Sequence, residues 1–524
     1  MVFDNATGES IDKVINNVKT DLTNGQYYFT PEMFGTTGTA DDTAVIQSMF
    51  DYIDANNRAF GAKIHFGNKR YVFNNVTIKT PQVTITSSGL IDGMFTVQSV
   101  DTLNPSAFNI IPLNVVFDGV KFYSATRKAV AITFKRLRDA TVKNCYFENY
   151  DIAILGDSEP NFAWQRTARI RINDNVFKNC TYFCKTIHYS DVGDPQATYT
   201  HHGDYMFEGN YFFQDTGGDT SLYLNGQDGL ICKGNYFFHG YSGTGRHIEI
   251  NDSNYVIIDG NNFFEAPKES ILADRPRHMV IKGNTFAIGG QQVVSSAIKL
   301  TNSDTKISSE MRIIIDSNII DGTSAHGVWV GQNIVSVKIM NNDFKKIGNT
   351  VWKGTGSQLA NSMDIYVEDG SLLTTDTNGI KYKNDIIING NSGENGVVNT
   401  RGILINQFWL AHLDAGNSFG NMRFGNVFSG DVDFKNTLVK TSSAAVGNSP
   451  FNPSFPMLCK SATGTVSNIT NAGINQIVWF VAGSGGLTIQ HGSGIINKSG
   501  TNLVLSNGQT AMYMKSDSSW YQLA

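Results

Sequence analysis

The chain is poor in several things at once. Proline is scarce, at 11 of 524 residues, and charged residues make up only 17%, below the quarter usual in globular domains. Cysteines number five (Cys145, Cys180, Cys184, Cys232 and Cys459), scattered and without a CxxC pair. An odd, dispersed set argues against a disulfide framework and points to thiols kept reduced in the compartment of folding. Cys180 and Cys184 have no complementary His or Cys cluster at ligand spacing, so they do not read as half of a metal site. No stretch of about 18 apolar residues is available to span a bilayer. The opening MVFDNATGES lacks a signal-peptide plan, which leads us to expect a soluble chain without an export signal. The formal net charge of −5 offers no basic footprint, so a nucleic-acid partner is not expected.

Glycine (51) and phenylalanine (33) are plentiful. They fall into an internal repeat, apolar–x–x–Asn–x–apolar: INDNVF (172–177), FEGNYF (207–212), CKGNYF (232–237), IDGNNF (258–263), IKGNTF (281–286), IDSNII (315–320), IMNNDF (339–344) and INGNSG (388–393). VKNCYF (142–147) is a degenerate earlier copy. The aligned asparagines Asn175, Asn210, Asn235, Asn261, Asn284, Asn318, Asn342 and Asn391 are separated by 35, 25, 26, 23, 34, 24 and 49 residues. A basal step of 23–26 with insertions fits the coils of a solenoid with loops at its corners. The apolar pattern has period two, as in strands, and propeller blades need about 40–45 residues each. Asn beside Gly or Asp suits a tight bend, because Asn tolerates left-handed backbone angles and its amide can bond a neighbour. Phe177, Phe212, Phe237, Phe263, Phe286 and Phe344 would stack into one internal column. The expectation is an all-β fold, a right-handed parallel β-helix, with a small C-terminal β-sandwich-like module and a short N-terminal helix.

The segment FGTTGTADDTAVIQSMFDYIDANNRAFGAKIHFGNKRYVF (34–73) resembles the opening of pectate-lyase-like β-helix proteins. Asp41, Asp42, Thr43, Ile46 and Gln47 match their DDT..IQ helix, which implies a helix capping the open end of the solenoid. The last 70 or so residues, with short alternating strands, Gly-rich turns and a closing Ser-x-Trp-Tyr, resemble C-terminal modules of bacteriophage tail spikes. The expected organisation is a neck or attachment segment over 1–30, a β-helix over 31–439, a linker over 440–456 and a C-terminal β module over 457–524, serving trimerisation or glycan binding. Ile11, Val14, Ile15, Val18 and Leu22 form an apolar stripe, suited either to a threefold neck or to a helix lying on the solenoid's end.

A second strand in each coil aligns by its apolar–x–apolar core: IHY (187–189), LYL (222–224), IEI (248–250), ILA (271–273), IKL (298–300), VWV (328–330), IYV (365–367) and ILI (403–405). The middle residues, His188, Tyr223, Glu249, Leu272, Lys299, Trp329, Tyr366 and Leu404, should point outward in one row. Aromatics interleaved with acids, amides and cations are what a polysaccharide groove requires. Substrate contacts are expected from His188, Tyr223, His247, Arg275, Lys299, Trp329 and Tyr366.

Cleavage of a glycan needs a proton donor and a base or nucleophile. Glu249 and Asp274 would lie one coil and two strand positions apart, about 8 Å on the diagonal. That falls within the roughly 6.5–9.5 Å of inverting glycosidases. Partial desolvation beside Tyr223 and Leu272 suits Glu249 to the acid role, with Asp274 as base and Asp252 a further candidate. A solvated Glu249 paired with Lys299 or Arg275 is the plain alternative. Lys, His and Tyr on the row would serve a lyase instead, and a non-cleaving adhesin would use the same face only to bind. His201, His202 and Asp204 read as a solvated loop before a metal or substrate site.

The whole resembles a bacteriophage tail spike with polysaccharide depolymerase activity. This resemblance implies action on a bacterial capsule or O-antigen, a homotrimer, and attachment to a phage tail or adaptor protein. It also implies folding in the host cytoplasm and residence on the virion tail. No cofactor or metal is expected.

Overall fold

The computed structural model describes most of residues 28–368 and shorter stretches beyond. Residues 1–27, 100–112, 158–166, 188–201, 349–361, 369–384 and 426–456, with smaller gaps elsewhere, lie outside the description. Ile11, Val14, Ile15, Val18 and Leu22 and the linker 440–456 therefore fall outside it. The chain divides into two compact units, Met1–Asp433 and Phe434–Ala524.

In the first unit each full coil supplies three strands. One coil gives Gln227–Lys233, Tyr236–His239 and Ile248–Asn251; the next gives Asn254–Asp259, Asn262–Ala266 and Ile271–Asp274. Like strands of successive coils pair in parallel and in register, which makes three faces running along the axis. Face one is a 14-stranded sheet from Tyr28–Phe29 to Ala411–Leu413. This is a right-handed parallel β-helix. Period-two burial produces it: Ile248 and Ile250 are fully buried, while Glu249 between them reaches solvent.

The repeated asparagines sit at the bend between faces one and two, and of the two properties expected of them it is the amide bond to a neighbour that they use. The residue before each Asn takes the left-handed backbone, from Asp174 (φ 56°) to Gly390 (φ 65°). The Asn itself turns inward. Asn261 Oδ1 accepts from the Asn235 backbone N–H and Nδ2, each at 2.9 Å, and Asn261 Nδ2 donates to the Cys232 carbonyl at 2.9 Å. The same bonding runs unbroken from Asn175 to Asn391. An amide has both donors and an acceptor, so it satisfies backbone groups of two coils that water cannot reach. Cys145, in the degenerate copy, starts the ladder by donating its N–H to Asn175 Oδ1.

The phenylalanine column forms on the adjoining strand. Phe122, Phe147, Phe177, Phe212, Phe237, Phe263 and Phe286 stack with centroids 4.6–5.1 Å apart. Ile320 takes the next place, so the expected column is interrupted before Phe344.

Helix Thr43–Asn57 begins where Asp41 Oδ1 accepts the Thr43 N–H at 3.0 Å. It buries Ile46, Met49, Phe50 and Ile53, with Phe50 against Phe95 at 6.0 Å. Gln47 exchanges two hydrogen bonds with the Thr77 backbone, tying the helix to strand Arg70–Ile78. The second unit is a six-stranded mixed sheet over a core of Val466, Phe480, Leu487, Ile489, Tyr513 and Trp520.

Candidate functional site

The ladder on face three pairs Tyr223 with Glu249, Glu249 with Leu272, Leu272 with Lys299, Lys299 with Trp329 and Trp329 with Tyr366. At one end the alignment by sequence slips by three residues. Strand Tyr182–Ile187 pairs Cys184 with Leu222 and Lys185 with Tyr223, so Lys185 holds the row position expected for His188. His188 itself lies outside the described residues. CKT and IHY have the same small-window pattern, and only the ladder distinguishes them.

Around Glu249 the side chains form one cluster. Arg246 Nη1 donates to Glu249 Oε2 at 2.7 Å, and its Nε donates to Glu269 Oε2 at 2.7 Å. The partner of Glu249 is thus Arg246, three residues earlier, and neither Lys299 nor Arg275. The Tyr182 hydroxyl donates to Asp219 Oδ2 at 2.8 Å. Burial, then this bond, push the Tyr182 phenol above its ordinary range, which makes it a donor and a poor base. The Lys185 ammonium lies 4.6 Å from the Tyr182 ring centroid and 5.3 Å from that of Tyr223. Gly245 permits this packing, because a Cβ there would sit 2.1 Å from the Asp219 carbonyl carbon.

His247 is not on the surface of this cluster. It is fully buried, stacks 5.6 Å from Phe263, and its Nε2 bonds the Phe264 carbonyl at 3.0 Å. Burial drives its pKa well below the usual value, so it is neutral and offers no charge to an acidic substituent. The chain bends between the strands, and residues there do not follow the alternation that placed Glu249.

Asn251 pairs with Asp274, which sets Asp274 one strand over and two residues along from Glu249. The Cα-level separation is thus about 8 Å. Side-chain exposures of 17% for Glu249 and 16% for Asp274 leave both carboxylates within reach of a ligand. Asp274 accepts from Thr301 Oγ1 at 2.9 Å, the Ser303 N–H at 2.9 Å and Ser303 Oγ at 2.5 Å. Arg275 Nε lies 3.5 Å from it. Asp252 and Arg275 both occupy corners with left-handed backbone, at φ 49° and 52°. Asp252 faces Arg277 at 3.9 Å, off the row.

Further along the face lies a second cluster. Lys299 Nζ stands 4.0 Å from the Trp329 ring centroid, Trp329 meets Tyr366 edge-on at 5.5 Å, and Tyr366 stacks on His326 at 4.3 Å. His326 accepts the Met363 N–H at Nδ1, and burial lowers its pKa to about 3. Asp364, 2% exposed, has a carboxyl pushed up to about 8 by burial, and its Oδ1 has no described hydrogen-bond partner.

Sequence reasoning missed Tyr182, Lys185, Asp219, Glu269, His326 and Asp364. Most precede or adjoin the aligned triplets, in corners where spacing varies from coil to coil. His202, read as part of a solvated loop, is buried at the start of strand His202–Glu208 and bonds the Ile187 carbonyl.

No protein-family model matches the chain, and no curated protein matches it. Among solved structures, the mannuronan C-5 epimerase AlgE6 A-module of Azotobacter vinelandii is similar at 12% identity and TM-score 0.46, over 75% of this chain and 100% of that one. PfbA, a surface adhesin of Streptococcus pneumoniae, is similar at 12% identity and TM-score 0.42, over 92% and 100%. DFA-IIIase from Arthrobacter chlorophenolicus A6 is similar at 10% identity and TM-score 0.40, over 70% and 94%. An epimerase, an adhesin and a DFA-IIIase thus stand together, and the likeness assigns no chemistry.

Proposed function

We propose that this protein is a polysaccharide depolymerase of the bacteriophage tail-spike kind, which lays a bacterial capsule or O-antigen chain along face three and cuts within it. The observation that carries the reading is the in-register row Lys185, Tyr223, Glu249, Leu272, Lys299, Trp329 and Tyr366. It sets three aromatic rings, one carboxylate and two cations at strand spacing along about 29 Å of one face. Rings stack on the C–H faces of sugars, and charged groups bond hydroxyls and acidic substituents. The tail-spike assignment, with its homotrimer, tail attachment and residence on the virion, draws support from the sequence of the C-terminal module and from reduced, scattered cysteines.

The cut is hydrolytic in this reading. Asp274, held by Thr301 and Ser303, takes a proton from water as the water attacks the anomeric carbon. Glu249, having taken up a proton from solvent once the bound sugar parts it from Arg246, gives that proton to the departing glycosidic oxygen. Binding of the sugar draws Glu249 away from Arg246, which keeps its second bond to Glu269. Tyr223, Lys299, Trp329 and Tyr366 hold the chain, and Arg275 orients Asp274.

One observation favours β-elimination as a second reading: Lys185 lies two strand spacings from Glu249, about 10 Å along the same face, where its neutral amine would take a proton α to a uronate. Incubation with a panel of purified capsules, followed by product mass spectrometry, separates the two by an added water or an unsaturated end. Glu249→Gln and Asp274→Asn should each lower the rate by about 10²–10⁴-fold with the fold intact. Full activity in both variants sinks the assignment, and unchanged polymer size with tight binding makes the protein an adhesin.

A further inference from the structure

We infer that the polymer taken by face three is anionic, and that Lys185 and Lys299 are its two charge-reading residues. This rests on the glycan-binding reading above and names the class of substrate. The carboxylates near Lys185 are already engaged: Asp219 by Tyr182 and Glu249 by Arg246. Arg246 is itself held by two acids, and Arg275 lies beside Asp274. Each of these groups has its counter-charge or donor within the protein.

Lys185 and Lys299 differ. Neither makes an ion pair with a described carboxylate, whereas Lys69, Lys143 and Lys178 elsewhere in the solenoid do, with Glu32, Asp118 and Glu148. Instead, each ammonium lies over an aromatic ring, Lys185 between Tyr182 and Tyr223 and Lys299 on Trp329. A ring face attracts an ammonium and fixes its position without neutralising it. The positive charge stays available to a ligand, and the ring beside it is an apolar wall for the sugar. The ladder runs Lys185, Tyr223, Glu249, Leu272, Lys299. Four strand spacings separate the two cations, about 19 Å along the axis. They lie on either side of the Glu249–Asp274 pair. A chain with carboxylates, or other acidic substituents, recurring along it would be gripped on both sides of the bond to be cut.

The test uses the full chain and a panel of purified capsular polysaccharides, half carrying uronic acid, sialic acid or pyruvyl groups and half neutral. Each binder is also tested after its carboxyls are reduced to alcohols. Binding is expected only among the anionic polymers, to weaken with rising salt, and to fall at least tenfold on carboxyl reduction. Lys185→Met and Lys299→Met should each raise KM about tenfold and flatten the salt dependence. The arginine variants should restore both, and Lys338→Met on face one should change neither. Thermal midpoints equal to the parent's show that the variants are folded. A neutral or carboxyl-reduced polymer bound and cut as well as the anionic one overturns the inference and leaves the depolymerase reading standing. Methionine variants with unchanged KM and salt dependence do the same. If no polymer of either kind binds, the glycan reading fails and this inference fails with it.

Discussion

Asp364 and His326 show how burial acts on single residues here. Asp364 holds its proton up to about pH 8, whereas an unfolded aspartate releases it near 4. Between those values the native state binds more protons than the unfolded chain, so this residue makes stability fall as pH rises from about 4 to 8. Asp364→Asn removes the ionisable group, and the variant should gain on the order of a few kcal/mol over the parent at pH 8 relative to pH 4. Thermal midpoints across that range, equal in slope for both proteins, would contradict it. The signs reverse for His326 and His239, whose pKa values burial lowers to about 3. Their contribution is present above about pH 6.5 and is lost as pH falls from there toward 3, because only the unfolded chain takes up the protons.

At the level of elements, the turn between faces one and two depends on the amide ladder more than on asparagine's backbone tolerance. Asn261→Ala would strip the side-chain partner from the Asn235 backbone N–H and the Cys232 carbonyl, deep in the interior, and leave Asn284 Oδ1 with the Asn261 backbone N–H as donor. Each buried polar group left unpaired costs about 1–3 kcal/mol. The substitution should destabilise the solenoid by about 3–5 kcal/mol, read as faster amide exchange in the coils on either side. Exchange unchanged at Asn235 and Asn284 would show that the ladder does not hold the coils. Asn261→Asp should cost nearly as much, since a carboxylate lacks the donor that reaches Cys232. The asparagine spacing was legible because each coil repeats the same bend. The amide's bonding was legible too, whereas the left-handed backbone falls on the residue before each asparagine, its neighbour in sequence.

At the scale of the molecule, two compact units carry separate hydrophobic cores, one running the length of the β-helix and one around Tyr513 and Trp520. A solenoid coil touches only its neighbours, so the first unit is a chain of near-identical interfaces, whereas the second is one six-stranded sheet over one core. Calorimetry of the full chain should resolve two transitions, and Trp520→Ala should lower one by several degrees and leave the other in place. A single transition that shifts as a whole would mean the two units unfold together.

The sequence by itself determined the parallel β-helix, because period-two burial and a recurring Asn–x–Phe leave few other ways to hide so many apolar side chains. It also determined the row from Tyr223 to Tyr366, since those strands keep one pattern from coil to coil. Only the tertiary structure decided that Lys185 and not His188 continues the row, that His247 is buried, and that Arg246 holds Glu249. The reason is physical: hydrogen-bonded strands fix which residues meet, whereas corners of variable length decide which side chains turn inward. A corner's outcome depends on the coils above and below it, which lie 23 to 49 residues away along the chain.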